Sequence, residues 1–367
     1  MKKIATFWKK RAKRYITFLL VSIMIFNCAP LEIFAYADFV EHVFSGGGTI
    51  TDPYILENEQ DFMNLGENIA NVPYYSLGKY FIVSPNTSAE GSDETRAIYF
   101  SDDYNSRVCL GGLGGDPAYY FYGNMNLNNT TLYTSFPIFG TISDGASVYM
   151  GYIVLSEDGT YSEIYDGDWG GLAQRIISSG GQETGDISFS NIELSVDVDL
   201  GASLPFQGGA LGGMIGSVQN DSDSPLTVTI DTVELVANSG TFAIRANHGA
   251  AGGVIGELSN GSTYDGENAR SINVQMRNVT VDGVVENACS GGVTGGFIGR
   301  ANVGCEISFG GATVAPDAGL LSGDSCAMFI GEGNQALAYT NNSFSLTING
   351  LSAAIGDDLG IDTAKGC

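Results

Sequence analysis

A short block of glycines around two apolar residues recurs along this chain and limits the folds that the chain can adopt. In chain order, the full and looser copies are PIFG at 137–140, GGLAQ at 170–174, GGMIG at 212–216, GGVIG at 252–256, GGFIG at 295–299 and AMFIG at 327–331. Their last positions lie 32 to 43 residues apart. A recurring period of this size is typical of structural units that stack on one another and share one core.

Each unit after residue 185 begins with alternating apolar and polar residues, rich in Val, Ile and Thr. The period of two predicts β-strands. No unit shows a helical period, which excludes a helical array, and a propeller blade needs four strands where two or three are visible. The sequence therefore predicts an all-β fold, a parallel β-solenoid with one turn per unit. The predicted strands occupy 186–198, 225–237, 271–283, 305–315 and 343–354.

The repeated block is expected to form a corner of the solenoid. Its apolar pair would point into the coil, and its glycines would allow a tight corner and a positive φ. The glycines to which this expectation applies are Gly212, Gly213, Gly216, Gly252, Gly253, Gly256, Gly295, Gly296 and Gly299.

The clearest helical period lies near the start of the chain, in residues 58–70. Asn58 can cap this helix, and Phe62, Leu65 and Ile69 fall on one of its faces. The end of a solenoid has unpaired strand edges that need cover. We therefore expect this short helix to cap the N-terminal end.

The first residues have the features of an export signal. Seven of the 16 Lys and Arg residues lie in residues 2–14, an apolar run follows, and Ala35–Ala37 has the small-x-small form of a signal-peptidase site. The apolar run is short for a membrane span, and an uncleaved N-terminal anchor is the alternative. The predicted parts are a signal peptide at 1–37, an N-terminal cap with first strands at 38–83, irregular aromatic-rich first turns at 84–184 and regular solenoid repeats at 185–367.

The chain is strongly acidic. Its net charge is −25, and without residues 1–37 the charge is −31. Nucleic acid is bound through Lys and Arg on the phosphates, and anionic lipid surfaces attract the same residues. The composition therefore argues against nucleic acid or a membrane surface as a partner, and it favours a soluble exported protein.

The glycine blocks resemble the GLUG motif, Gly-aliphatic-aliphatic-Gly, of bacterial secreted and cell-surface proteins. The run FSGGGTITDPYILENEQDFMNLG at 44–66 is similar to the opening of many such proteins, and 121–127 and 136–155 are similar to their next turns. The resemblance covers most of residues 44–350. It implies a right-handed parallel β-helix with an adhesive or host-facing role. Some members are attached to metallopeptidases, but this chain contains no His-Glu-x-x-His, so peptidase activity is not expected.

A carbohydrate-active enzyme is the main alternative, because parallel β-helices also carry lyases and hydrolases. His42 and His248 are the two histidines, and the surroundings of His248 lack the partner motifs of polygalacturonase-like enzymes. A lyase acting on acidic sugars needs cations, which are scarce here, whereas a glycosidase needs only two suitably spaced carboxylates. No pair stands out among the 41 acidic residues, so we expect no enzymatic activity.

Two surface sites are candidates for ligand binding. An oxygen-rich loop suits calcium, against the alternative of solvated acidic turns. The calcium candidates are Asp158, Glu163, Asp166 and Asp168. Crowded tyrosines can stack on sugar rings or protein partners, although strand alternation turns about half of such rings inward. The ligand-platform candidates are Tyr119, Tyr120 and Tyr122.

Three cysteines lie in neighbouring repeats, where equivalent strands are about 4.8 Å apart. They are Cys289, Cys305 and Cys326. A disulfide between Cys326 and either of the other two is the hypothesis, and buried free thiols are the alternative.

Together these patterns predict a non-enzymatic, exported bacterial surface or extracellular protein. Its β-solenoid would be a scaffold for adhesion to a glycan or to a host or matrix protein. The alternatives are a carbohydrate-active enzyme on the same scaffold and the N-terminal fragment of a larger surface protein.

Overall fold

The computed structural model of the protein describes the chain from residue 39 onward, with gaps. The chain forms two compact units, residues 1–41 and 42–367, and every described helix and strand belongs to the second. The predicted signal peptide, residues 1–37, lies outside the described residues. These are 39–85, 96–100, 110–112, 116–155, 168–178, 185–196, 209–222, 224–236, 243–246, 249–260, 271–282, 284–287, 292–301, 305–311, 313–314, 321–322, 325–327, 329–333 and 344–349.

Strands make up most of the described elements. In chain order they are β1 Tyr54–Leu56, β2 Tyr80–Val83, β3 Ala97–Tyr99, β4 Asn124–Thr134, β5 Phe139–Ile142, β6 Ser147–Leu155, β7 Trp169–Gly170, β8 Ala173–Ser178, β9 Ile187–Val196, β10 Leu211–Gly212, β11 Ile215–Asn220, β12 Leu226–Val236, β13 Ala243–Ala246, β14 Ala250–Gly252, β15 Ile255–Asn260, β16 Ile272–Val281, β17 Val284–Asn287, β18 Val293–Gly295, β19 Ile298–Ala301, β20 Cys305–Gly310, β21 Thr313–Val314, β22 Leu321–Ser322, β23 Ser325–Ala327, β24 Ile330–Gly333 and β25 Phe344–Asn349. The helices are α1 Glu59–Asn71 and a 3-10 turn at Pro117–Tyr119.

The named strands form four sheets, and they pair in parallel throughout. From β4 onward, neighbours within sheet 1 come from successive stretches of chain, with strands of the other sheets between them. The prediction of an all-β fold with parallel strands is therefore confirmed, and the arrangement is compatible with a parallel β-helix. Sheet 1 has the order β1-β2-β4-β6-β9-β12-β16-β20-β25, with β3 on β4 and β21 on β16; sheet 2 is β7-β10-β14-β18-β23; sheet 3 is β5-β8-β11-β15-β19-β24; sheet 4 is β13-β17-β22.

The glycine blocks are the corners at which the chain passes from sheet 2 into sheet 3. In the block at 212–216, Gly212 ends β10 and Ile215 begins β11. Met214 and Ile215 are fully buried, as predicted for the apolar pair. The Met214 carbonyl accepts the N–H groups of Leu172 and Ala173 at 2.9 and 3.1 Å. Each block thus packs in register on the block before it.

The same two-donor arrangement recurs in the next two units. The Val254 carbonyl accepts the N–H groups of Met214 and Ile215, and the Phe297 carbonyl accepts those of Val254 and Ile255. The corner is therefore repeated in hydrogen bonding as well as in sequence.

The expectation that the block glycines adopt a positive φ was wrong. Among the described glycines, positive φ occurs at Gly46, Gly48, Gly78, Gly111, Gly145, Gly249 and Gly311, none of which belongs to a block. The block glycines are required by close approach instead. A Cβ on Gly252 would lie 1.9 Å from the Ile255 oxygen, and one on Gly256 would lie 2.5 Å from the Gly216 oxygen. Backbone fills the space that a side chain would need.

Residues with a left-handed backbone conformation lie side by side across the long strands of sheet 1, and we call them the left-handed column. Met150, Asn191, Thr232 and Asn278 all have φ between 50° and 63°, and their following residues are register partners. The alternation of buried and outward residues shifts at this column. In β12, for example, Ile230 and Val233 are both buried although three positions apart. Each long strand therefore bends and presents two separate outer faces.

The predicted helix is confirmed as α1. The Asn58 side chain accepts a hydrogen bond from the Asp61 N–H at 3.2 Å, and Phe62, Leu65 and Ile69 are buried. The ring of Phe62 lies 5.1 Å from that of Phe100 in an edge-to-face contact. The apolar face of the helix belongs to the same core cluster as the sheets. Within the described part of the chain, no helix has the length and hydropathy needed to span a membrane.

Candidate functional site

A stacked pair of tyrosines stands on the outer face of sheet 1 beyond the left-handed column. Tyr99 in β3 and Tyr133 in β4 are register partners. Their ring centroids lie 4.5 Å apart, with the planes 5° from parallel. Tyr99 is 68% exposed, whereas tyrosine rings in folded proteins are usually partly buried. An exposed aromatic surface thus lies at the first strands of this face.

A second exposed ring, Tyr152, belongs to a row of register partners on the same face. Tyr152 in β6 is 42% exposed and pairs with Glu193 in β9, which pairs with Glu234 in β12. Glu193 is half-buried and Glu234 is exposed. Equivalent side chains on neighbouring strands stand about 4.8 Å apart. We call Tyr99, Tyr133 and Tyr152 the tyrosine strip, and Glu193 and Glu234 the acidic pair.

The stacked tyrosines belong to a second row of register partners, which contains a buried hydroxyl. Tyr133 pairs with Val154, and Val154 pairs with Ser195. Ser195 lies two residues after Glu193, so strand alternation places it on the same face. It is 5% exposed, and its Oγ has no hydrogen-bond partner among the described atoms. A buried polar atom without a partner is uncommon in proteins and calls for an explanation.

The bend in the strands explains why these residues share a face. In β6, Tyr149 and Tyr152 both point outward, but the left-handed Met150 lies between them. The two rings therefore belong to different outer faces. The sequence carries a signal for this bend, because the buried residues Phe189 and Ile192 are three apart where a straight strand would space them by two. Sequence reasoning did not use this signal and missed the tyrosine strip.

The predicted ligand platform lies elsewhere and is mostly covered. Tyr120 and Tyr122 are 3% and 2% exposed and form a small apolar cluster with Ile177. The Tyr122 hydroxyl donates to the Pro117 carbonyl at 2.8 Å. Burial, followed by the charge of Tyr122, raises the pKa of Tyr120. Tyr119 is half-buried. The ring faces of Tyr120 and Tyr122 are therefore not open to a ligand.

Of the four calcium candidates, the structure describes Asp168, and Asp158, Glu163 and Asp166 lie outside the described residues. Asp168 Oδ1 accepts the Ala210 N–H at 2.9 Å, and Oδ2 accepts the Ser217 hydroxyl at 2.5 Å. This carboxylate thus joins one unit to the next. No group of three or more potential metal ligands occurs among the residues that the structure describes.

Cys305 is a free thiol, so a disulfide through this residue is not formed. It is buried in β20 of sheet 1, whereas Cys326 lies in β23 of sheet 2, opposite Thr294. Burial raises the pKa of the Cys305 thiol to about 12. Cys289 lies outside the described residues, and its pairing with Cys326 stays a hypothesis.

Comparison with known proteins gives no further guidance on this surface. No family model, curated protein or solved structure matches the chain. The function therefore has to be inferred from the residues of the outer faces themselves.

Proposed function

We propose that this chain is an exported bacterial surface or extracellular protein that binds a saccharide through the tyrosine strip. The exposed Tyr99 ring, stacked on Tyr133 and followed by Tyr152 on the next strand, carries this proposal. Tyrosine combines an apolar ring, which packs on the C–H face of a sugar, with a hydroxyl that bonds to sugar hydroxyls. Parallel strands hold the rings at a fixed spacing, so little side-chain conformational freedom is lost on binding.

The scaffold in this proposal is a right-handed parallel β-helix. Successive chain segments add one strand to each sheet, and about 98% of crossover connections between parallel strands are right-handed. Helix α1 lies in sequence between β1 and β2, and β1 is the first strand of sheet 1. We infer that α1 caps the N-terminal end of the helix. The resemblance of the glycine blocks to the GLUG motif supports an exported, host-facing protein.

The test is binding of the purified protein to an array of neutral, basic and acidic glycans. A matched pair of variants exists within β6, because Tyr152→Ala removes a ring of the strip and Tyr149→Ala removes a ring from the other outer face. We expect Tyr152→Ala to weaken glycan binding about three- to ten-fold, as for the loss of an aromatic contact, and Tyr149→Ala to leave it unchanged. Equal loss in both variants, or no binding to any glycan, would overturn the proposal.

One observation favours a carbohydrate-active enzyme as the second candidate. Glu193 and Glu234 are register partners, and the carboxyl groups of retaining glycosidases lie about 5–5.5 Å apart. Catalysis, however, needs two carboxyl groups in contrasting environments, one kept protonated and one ionised. Both residues lie on the outer side of the sheet, which favours binding over hydrolysis. Release of reducing ends from a bound glycan, lost in Glu193→Gln, would reverse this preference.

A further inference from the structure

The acidic pair narrows the class of saccharide, and this inference rests on the proposed function. Glu193 and Glu234 stand directly opposite each other on neighbouring parallel strands. Like charges in such positions repel and destabilise a sheet. Among the described residues, neither carboxylate has a hydrogen bond or an ion pair. The arrangement therefore leaves two acceptors and an uncompensated negative charge next to the tyrosine strip.

Asp282, directly after β16, is a further acidic residue on this side of the bend, and two charged groups on the other side are engaged. Arg277 in β16 donates to Gln275 at 3.1 Å, and Asp231 in β12 accepts from Thr232 at 3.0 Å. Both precede the left-handed column in their strands. Arg96 is exposed and directly precedes β3, so it lies at the far edge from Glu234. The strands between Tyr152 and Glu234 thus present negative charge to a ligand.

The register fixes the direction in which a ligand would run. Tyr152, Glu193 and Glu234 lie on three consecutive strands of sheet 1, and Thr280 follows on the next. The strand spacing of about 4.8 Å is close to the length of one pyranose unit in an extended chain. An extended saccharide that crosses the strands would therefore place one sugar unit over each of these side chains.

We infer that the ligand is an extended amine-bearing saccharide that lies across β6, β9 and β12. Tyr152 stacks on one sugar unit, and the ammonium groups of the next units bind the acidic pair. Charge-assisted hydrogen bonds between ammonium and carboxylate are roughly twice as strong as neutral ones. Acidic saccharides are rejected because the same carboxylates repel them.

The experiment compares four oligosaccharides of equal length by calorimetry at low salt. They are a glucosamine oligomer, its N-acetylated form, a cello-oligosaccharide and a galacturonate oligomer. We expect the glucosamine oligomer to bind about ten-fold more tightly than the neutral oligomers, as for one charge-assisted contact, and the galacturonate oligomer not to bind. The double variant Glu193→Gln and Glu234→Gln should remove the preference for the glucosamine oligomer over the neutral oligomers.

Asp231→Asn serves as the matched control, because it removes a negative charge from β12 on the other side of the bend. Equal affinity for amine and neutral oligomers, unchanged by the glutamine substitutions, would overturn this inference while leaving the proposed function intact. Equal effects of Asp231→Asn and the double variant would overturn it too, since they would indicate general attraction to an acidic protein. Absence of binding to all four oligomers and to the wider array would overturn the proposed function itself.

Discussion

At the scale of the residue, the fold depends on positions at which only a few amino acids are compatible with the surrounding backbone. The block glycines are the clearest case, since the space of their missing Cβ is filled by backbone of the same or a neighbouring unit. The left-handed column is another, because each of its members must accept a backbone conformation that costs most residues about 1–2 kcal/mol. Both features lead to measurable effects of small substitutions.

Gly252→Ala should destabilise the protein. The added Cβ would lie 1.9 Å from the Ile255 oxygen and 2.6 Å from the Gly299 nitrogen, so the corner has to move. Overpacking of this kind costs about 1–3 kcal/mol. The control is Gly310→Ala, where a Cβ meets nothing within 4 Å. Urea unfolding of both variants is the measurement, and equal midpoints would contradict the steric explanation of the block.

Thr232→Asn should stabilise the protein. Thr232 has a φ of 55°, which is unfavourable for a β-branched side chain, whereas Asn tolerates the left-handed region. Asn191 and Asn278 already occupy the same column on both neighbouring strands. We expect a gain of about 0.5–1 kcal/mol in the free energy of unfolding. Thr229→Asn, in the straight part of the same strand, should give no gain, and a gain of the same size there would argue against relief of strain.

The buried Cys305 thiol should make stability fall at high pH. Its pKa is raised from 9.0 to about 12 by burial, so the folded state holds a proton that the unfolded state releases. The stabilisation is fully present below pH 9 and is lost as the pH rises from 9 towards 12, by up to about 1.4 kcal/mol per pH unit. Cys305→Ala removes the thiol and with it this pH-dependent contribution to the free energy of unfolding. The difference between wild type and variant in unfolding free energy should therefore shrink above pH 9, and a constant difference would contradict a buried free thiol.

At the scale of the element, the strands and the helix follow from local patterns. The period of two predicted the sheet 1 strands after residue 185, and each predicted stretch contains the observed strand or strands, as with Leu226–Val236 inside 225–237. Helix α1 was predicted from its cap and apolar face, both of which lie within one short segment. The bend at the left-handed column also has a local sequence pattern, because the buried residues Ile230 and Val233 are three positions apart. An interpretation that assumes a straight strand overlooks this bend.

Asn58→Ala should loosen helix α1 without unfolding the sheets. The Asn58 side chain satisfies the Asp61 N–H, and loss of such a cap costs about 1 kcal/mol. Hydrogen exchange of the amides in Glu59–Asn71 should accelerate, while amides of β12 should exchange as before. Asn64→Ala, within the same helix, is the control and should slow exchange slightly because alanine favours the helix. Faster exchange in both variants would indicate a general loss of stability instead.

At the scale of the whole molecule, the strands of successive units align in register. Through β12, Ile187 of β9 aligns with Val274 of β16, and Ile192 aligns with Val279. These pairs are apolar on both sides, so β9 and β16 have matching inner faces. The core is then a sum of similar contacts between neighbours, as expected for a linear repeat architecture.

Removal of residues 216–255 should therefore leave a folded protein. The deletion joins Ile215 to Gly256, which preserves the corner block and brings β9 next to β16. We expect circular dichroism to show a cooperative β-sheet protein with a lower midpoint of thermal unfolding, because one layer of contacts is lost. Removal of 216–235 alone breaks the period and should give an unfolded or aggregated chain. Similar behaviour of the two deletions would contradict an interchangeable unit.

The surface was less predictable than the scaffold because exposure is decided by residues far apart in sequence. Tyr120 and Tyr122 sit in an aromatic-rich run that suggests a binding platform, but Ile177, more than fifty positions later, packs against them. Tyr99 and Tyr133 come together only through the pairing of β3 with β4. The periodicity of a short segment gives no information on contacts between residues that are distant in sequence. Sequence alone therefore located the scaffold, and the tyrosine strip required the register of the strands.

The close backbone approach at the corners has a consequence for how the repeats can change over generations. Every glycine codon begins with two guanines, so a change at either of these two bases gives an amino acid with a Cβ or a stop codon. At Gly212, Gly252 and Gly295 that Cβ would lie within 1.9 Å of a carbonyl oxygen. Substitutions can therefore accumulate along the strands and connections of each unit more readily than at the corner glycines. The glycine block is the part of each unit that tolerates the least change.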